Sequence, residues 1–264
     1  MRFTVFGASG LIGSRLLAKL LEAGHECLAP ARGEIPTGKD LGHVFYCIGL
    51  TADFRSRLAE TVDAHVCNLL RVLRDGRFTR LCYLSSTRVY KGLPRGEEDA
   101  ALQVRPENTS DVYDLSKLMG EAACLHVRPG GVVARLSNVF TPEDPSDNFL
   151  PSVLREAVQT GRVRLRTALD SSKDYVLLED VLDMLPKILV EGRQNIYNIA
   201  AGQDITHREI VTALGCGVDV VPNAPRVTFP SISIARLKQE FNYMPSAVLP
   251  VIAAATLSRQ TSPI

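Results

Sequence analysis

The feature that most constrains this chain is Gly7-Ala8-Ser9-Gly10-Leu11-Ile12-Gly13, three glycines at regular spacing between an apolar run and a helical pattern. Arg2 to Phe6 reads as a short buried strand. Leu11 to Ala23 carries apolar residues at helical spacing and stops before Gly24. A glycine turn in this position lets backbone approach a pyrophosphate, while the helix N-terminus supplies unpaired N–H groups and the positive end of its dipole. As the first strand-turn-helix of the chain, the segment predicts a dinucleotide-binding Rossmann unit, with cofactor contacts from Gly7, Ala8, Ser9, Gly10, Leu11, Ile12 and Gly13.

Further strands are predicted at His25 to Ala29, Val44 to Ile48, Arg80 to Ser85 and Gly131 to Leu136, with helices over Phe54 to Leu73 and Val112 to Leu125. Such alternation argues for a parallel sheet with crossover helices on both faces. Only Pro30 to His43 separates the second strand from the next, and Pro30, Gly33, Pro36, Gly38 and Gly42 break that segment. It is too short for a helix plus a strand. In the strand order 3-2-1-4-5-6 the third strand is an edge strand, so the segment predicts a trimmed edge. After Asn138 a Pro- and Asp-rich stretch, 141–148, leads into a helix from Phe149 to about Thr160, and Asp180 to Val190 and Thr206 to Leu214 read as further helices. The expected fold class is α/β, a doubly wound parallel sheet. Residues 1–140 form the NAD(P)-binding domain, to which later segments return, and residues 141–264 form mostly a small substrate-binding lobe.

Thirty Lys and Arg against 29 Asp and Glu leave a net charge of +1 on 264 residues, so no global field gathers nucleic acid or an anionic membrane. No apolar stretch approaches the roughly 18 residues that cross a bilayer, and the N-terminal apolar run is too short for a signal-peptide core. A cytoplasmic protein with small-molecule partners is expected. The six cysteines, without any C-x-x-C pair, are expected to be buried reduced thiols, with no metal site. The five histidines show no catalytic spacing and read as surface or helix-end residues.

The second strand of a Rossmann fold ordinarily ends on an acidic residue that bonds the ribose 2′-OH of NAD. Here Pro30-Ala31-Arg32-Gly33 stands instead, and Arg32 can pair with a 2′-phosphate, which favours NADP, with Glu34 left to serve NAD. Tyr113 and Lys117 lie four residues apart, on one face of a helix, where the ammonium is expected to pull the phenol below its ordinary value near 10. A phenol so tuned passes a proton to or from an alcohol while hydride moves to the nicotinamide. Tyr83-Leu84-Ser85-Ser86-Thr87-Arg88-Val89-Tyr90 ends a strand with three hydroxyl residues at the sheet's carboxyl edge, where open α/β sheets bind ligands.

These motifs, in this order, resemble the extended short-chain dehydrogenases/reductases, the NAD-dependent epimerase/dehydratase family. The resemblance continues through Gly120-Glu121, Arg135-Leu136-Ser137-Asn138-Val139-Phe140 and Lys173-Asp174-Tyr175-Val176, with Glu179-Asp180-Val181 downstream. It implies a catalytic set of Ser86, Tyr113 and Lys117, Tyr113 acting as general acid/base and Lys117 also bonding the nicotinamide ribose. It further implies cofactor contacts beside Ile48, Gly49 and Leu50, a substrate contact at Asn138, and a homodimer built on the Phe54 to Leu73 and Val112 to Leu125 helices.

Three departures from the family pattern bear on the substrate. Asp114 replaces the glycine that commonly follows the tyrosine, Lys173 replaces an arginine that contacts the nucleotide diphosphate, and Thr87-Arg88 stands where dehydratases place Asp-Glu. Dehydration is therefore disfavoured. Arg162, Arg164 and Arg166 alternate with Val163 and Leu165 on one face of a strand, and Arg164 is a candidate diphosphate contact. The expected activity is NAD(P)-dependent 4-keto reduction or 4-epimerisation of a nucleotide sugar. Reduction is preferred because Arg32 points to exchangeable NADPH. The alternatives are reduction of a non-nucleotide ketone or aldehyde, and a non-catalytic NADP-binding redox sensor.

Overall fold

The computed structural model describes residues 1–50 and 54–260, with side chains to 257. Six strands form one all-parallel sheet in the order Ile196–Ile199, Gly131–Leu136, Arg80–Ser86, His43–Tyr46, Arg2–Phe6, Glu26–Leu28. Their near-continuous apolar sequences follow from burial on both sides, since successive residues point to opposite faces. Phe3, Val5, Phe45 and Leu84 pack on one face with Val181, Leu185 and Ile188 of the Leu178–Val190 helix. Phe6, Val44, Tyr46 and Tyr83 pack on the other with Leu69, Leu73 and Ala123. Each such side chain, once fully buried, contributes roughly 1.5–3 kcal/mol. Thr4 is fully buried among them because its hydroxyl donates to Leu41 O at 2.7 Å.

The edge is trimmed as expected. Between Leu28 and His43 the chain makes an isolated bridge from Asp40 to Arg77 and no strand, so the three-residue strand Glu26–Leu28 is outermost. Gly42 closes this connection at φ +61, where a Cβ would come within 2.3 Å of Arg2 O. Two expectations are corrected here. The long helix predicted from Phe54 starts instead at Leu58 and is interrupted, running as Leu58–Val62, a π turn Asp63–Cys67 and Asn68–Asp75. The cysteines are all free thiols, but Cys67 is exposed.

A second apolar core gathers Phe140, Leu154, Val163, Leu165, Tyr175, Ile210 and Ile252. It is built from the helices Phe149–Thr160, His207–Leu214 and Val248–Gln260 over the short strands Arg162–Leu165 and Ser172–Leu177. Thr206 and Glu209 form a capping box at the start of the His207–Leu214 helix, and Gly215 ends it in the left-handed conformation. The Ala235–Phe241 and Val248–Gln260 helices carried no sequence signal strong enough to predict. Among the described residues no helix is long and apolar enough to cross a membrane.

Candidate active site

A cleft of about 590 Å³ opens at the carboxyl ends of Arg2–Phe6 and His43–Tyr46, where the order of the sheet reverses and open α/β sheets bind ligands. Gly10 to Gly13 and Cys47 to Gly49 form one wall, and Ser86, Tyr113 and Lys117 face it.

The glycine turn is shaped by steric need. Gly7 sits at φ +83, and a Cβ there would come within 2.9 Å of the Cys47 carbonyl carbon, while a Cβ on Gly13 would come within 2.2 Å of Gly7 O. Gly10 N–H donates to Gly7 O at 3.0 Å and closes the turn. Gly10 caps the Leu11–Glu22 helix without any side-chain bond, which leaves first-turn N–H groups facing the cleft for a ligand's anion. These residues fit a dinucleotide pyrophosphate.

Ser86 ends its strand in extended conformation, and its hydroxyl accepts from Arg88 N–H at 3.2 Å, opening the short 3₁₀ turn Thr87–Tyr90. That turn holds the Ser86 side chain toward Tyr113. Tyr113 and Lys117 project from the Asp111–His126 helix, both nearly buried, with Lys117 Nζ 5.9 Å from the Tyr113 ring centroid. Lys117 Nζ donates to Leu84 O at 2.9 Å. Burial pushes the Tyr113 phenol up to about 12, against smaller lowering by the neighbouring Ser86 hydroxyl. The expectation of a phenol depressed by Lys117 is therefore corrected. Lys117 is itself brought down to about 7 by burial, only partly offset by the charge of Glu121, and so is a weakened source of positive potential.

The Asp111–His126 helix is locked to the sheet by a buried ionic network. Glu121, one turn beyond Lys117, accepts from Arg135 Nε at 3.0 Å and Nη2 at 2.7 Å and from the Ser85 hydroxyl at 2.5 Å. Arg135 Nη1 continues to Tyr90 Oη at 2.8 Å, and Tyr90 donates to Asn198 Oδ1 at 2.7 Å. Close contact is possible because position 120 is glycine, where a Cβ would meet Tyr83 Oη at 2.4 Å.

One site residue was missed. His65, read from sequence as a surface or helix-end histidine, is fully buried in the π turn, edge-on to Tyr113 with centroids 5.2 Å apart. Its Nε2 accepts from Leu50 N–H at 3.2 Å, which leaves the proton on Nδ1 for Ser116 Oγ at 2.8 Å, and Ser116 donates to Tyr113 O at 2.8 Å. Burial, with the Lys117 charge, holds the ring neutral by lowering it to about 2. His65 thus ties the segment after His43–Tyr46 to the Asp111–His126 helix. The signal available was a π turn at a site, which a regular 3.6-residue period conceals.

The remaining expected contacts divide. Asn138 and Lys173 line the cleft, although the Asn138 amide already donates to Asp174 O at 2.8 Å. Ile48 and Gly49 line it as well, and Leu50 is held by His65 beside it. Arg32 lies exposed on the turn after the edge strand, outside the cleft lining, where Glu34 is bonded back to Ala31 N–H at 3.1 Å. Arg164 is exposed on its strand and outside the cleft lining, so the arginine stripe is a solvated face, with Arg162 paired to Asp219 at 2.7 Å.

Comparison with known proteins agrees with this architecture. The chain is 24% identical over 165 residues to dTDP-4-dehydro-6-deoxyglucose reductase of Escherichia coli, covering 59% of this chain and 50% of that one. It is 33% identical over 105 residues to methionine adenosyltransferase 2 subunit beta of Danio rerio, covering 39% and 30%. The matched region thus spans half or less of these curated relatives. Among solved structures, MoeE5 in complex with UDP-glucose and NAD superposes with a TM-score of 0.81 at 19% identity, covering 99% of this chain and 100% of that one. RMD from Pseudomonas aeruginosa complexed with NADPH superposes at 0.78 with 24% identity, covering 99% and 100%. A family model matches residues 3–200, and the chain belongs to the NAD dependent epimerase/dehydratase family.

Proposed function

We propose that the protein is an NAD(P)-dependent oxidoreductase of nucleotide-linked sugars that reduces a 4-keto group, with epimerisation at that carbon as the alternative outcome of the same chemistry. The observation that carries this reading is the convergence of Ser86, Tyr113 and Lys117 on the cleft that the glycine turn opens. A bound nicotinamide supplies or takes up the hydride. Ser86 holds the substrate oxygen beside Tyr113, and Tyr113 moves the proton. Burial, which pushes the phenol up to about 12, keeps Tyr113 protonated, the form that gives a proton to a ketone oxygen as it is reduced. Lys173 is the candidate contact for the substrate's diphosphate. Arg32, exposed beyond the edge strand, is the candidate partner of a 2′-phosphate, and NADP is the proposed cofactor, with NAD as the alternative. The reading includes a homodimer through the faces on which Val62 and Met119 lie exposed.

The test is consumption of NADPH or NADH with a panel of 4-keto nucleotide sugars, followed by nicotinamide absorbance, with product epimers resolved by chromatography. Turnover that falls by a factor of roughly 10² or more in Tyr113→Phe is expected. Full activity in Tyr113→Phe refutes the mechanism, and absence of turnover with every 4-keto sugar refutes the substrate class.

A further inference from the structure

The cleft is lined by Arg55, Arg88, Lys117 and Lys173 against two carboxylates, Asp144 and Asp174. Both carboxylates are engaged by the protein. Asp144 accepts from the N–H and the hydroxyl of Ser146, each at 2.9 Å. Asp174 accepts from the N–H groups of Ala201, Gly202 and Gln203 at 3.0, 2.6 and 3.2 Å. What the cleft offers a ligand is therefore positive charge.

Its cations occupy different places. Lys117 is committed to Leu84 O, and Lys173 stands over the rings of Phe149 and Phe229, with Nζ 5.8 and 5.5 Å from their centroids. Arg88 stands at the catalytic end, directly after Ser86 and Thr87, with Cζ 5.9 Å from the Tyr113 ring centroid and 5.3 Å from that of Phe54. Its orientation is fixed from behind. Nε lies 3.1 Å from Asp114 Oδ1 in an ion pair without hydrogen-bond alignment, Nη2 donates to Ser110 O at 3.0 Å, and 21% of the side chain remains open while Asp114 is 4% exposed.

Arg88 and Asp114 are two of the three departures from the family pattern, and the fold joins them into one device. A carboxylate as buried as Asp114 is costly without a cation beside it. Arg88 meets that need as its ion-pair partner and rests beside the packed rings of Phe54 and Tyr113, with part of its fork open to the cleft.

We propose that Arg88, oriented by Asp114, is a specificity residue that selects substrates bearing a carboxylate on the reacting sugar, a nucleotide-linked uronic acid. The inference rests on the nucleotide-sugar reading above. A guanidinium matches a carboxylate with two parallel charge-assisted bonds, whereas a neutral hydroxymethyl group leaves its desolvated N–H groups without an anion.

The experiment is calorimetric titration of the NADP-loaded protein with the UDP and dTDP forms of glucuronic acid and glucose, and with UDP and dTDP alone. It is run on the wild type, on Arg88→Gln and on Arg88→Gln/Asp114→Asn, the double variant leaving neither charge buried alone. At least about tenfold tighter binding of the acidic sugar nucleotide than of the neutral one is expected in the wild type, and a ratio near one in both variants. Equal binding of the two sugars by the wild type overturns the inference while the nucleotide-sugar reading stands. A preference that survives in both variants overturns it too, as does a loss of bare UDP and dTDP as large as that of the acidic sugars, which would assign Arg88 to the diphosphate. Binding of NADP but of no nucleotide sugar overturns the nucleotide-sugar reading and the inference with it.

Discussion

Replacing Glu121 by Gln removes the charge that the Arg135 guanidinium is built around while keeping the shape of the side chain. The two groups are 5% and 4% exposed at 2.7 Å, and the Ser85 hydroxyl completes the shell at 2.5 Å. Breaking a buried pair from one side costs about 3–5 kcal/mol, because the surviving charge is left desolvated. For a chain of this size that corresponds to a drop in melting temperature of roughly 10 °C. Arg135 also bonds Tyr90 Oη, so part of the guanidinium stays satisfied and the lower end of the range is expected. A second effect accompanies the first. The Glu121 charge props up Lys117, which burial has lowered to about 7, so Glu121→Gln moves the Lys117 titration further down and shifts the pH–rate profile toward acid. The assay is urea unfolding of wild type, Glu121→Gln, Arg135→Met and Glu121→Leu/Arg135→Met, paired with the pH dependence of turnover. The double variant, which leaves no lone charge, should recover most of the loss. A single-variant cost below about 1 kcal/mol, or a double variant less stable than either single one, would refute the reasoning.

Gly13→Ala places a methyl 2.2 Å from Gly7 O and should abolish cofactor binding with a lower melting temperature, whereas Gly10→Ala meets Gly7 O at 3.5 Å and should melt close to wild type. His65→Leu leaves the Leu50 N–H without its acceptor, about 1–3 kcal/mol, and should weaken cofactor binding roughly tenfold with little change for bare UDP; unchanged cofactor affinity would count against the clamp. Lys117 titrates near 7 when folded and at its ordinary 10.5 when unfolded, so between those values the unfolded chain holds the extra proton. Stability should rise with pH across that window and be lost as pH falls back through about 7, by up to roughly 5 kcal/mol, and Lys117→Met should flatten the slope in chemical denaturation.

Much of this was legible in the sequence because it is local. The glycine turn, the three hydroxyls ending a strand and the Tyr113-to-Lys117 spacing each declare themselves within a few residues, as does the trimmed edge through its prolines and glycines. What escaped is non-local. The pairing of Arg88 with Asp114 depends on how a 3₁₀ turn packs against the Asp111–His126 helix, and the fate of Arg164 depends on which side of its strand meets the second core. The Tyr113 phenol was misjudged because spacing reports a neighbouring charge, whereas the burial that dominates it is set by Phe54 and His65, brought in from another part of the chain.

The π turn at Asp63–Cys67 works as a phase corrector. Thr61, His65, Leu69 and Leu73 are all buried at a spacing of four residues. In an uninterrupted α-helix four residues sweep about 400°, so such a seam would drift some 40° per step and leave the inward stripe before its end. Widening one turn takes up that drift, which lets a single run of chain aim His65 at the active site and Leu69 and Leu73 at the sheet. Deleting one residue between 63 and 67 would reset the timing: an unbroken α-helix would still form, but its two halves could no longer serve both addresses at once.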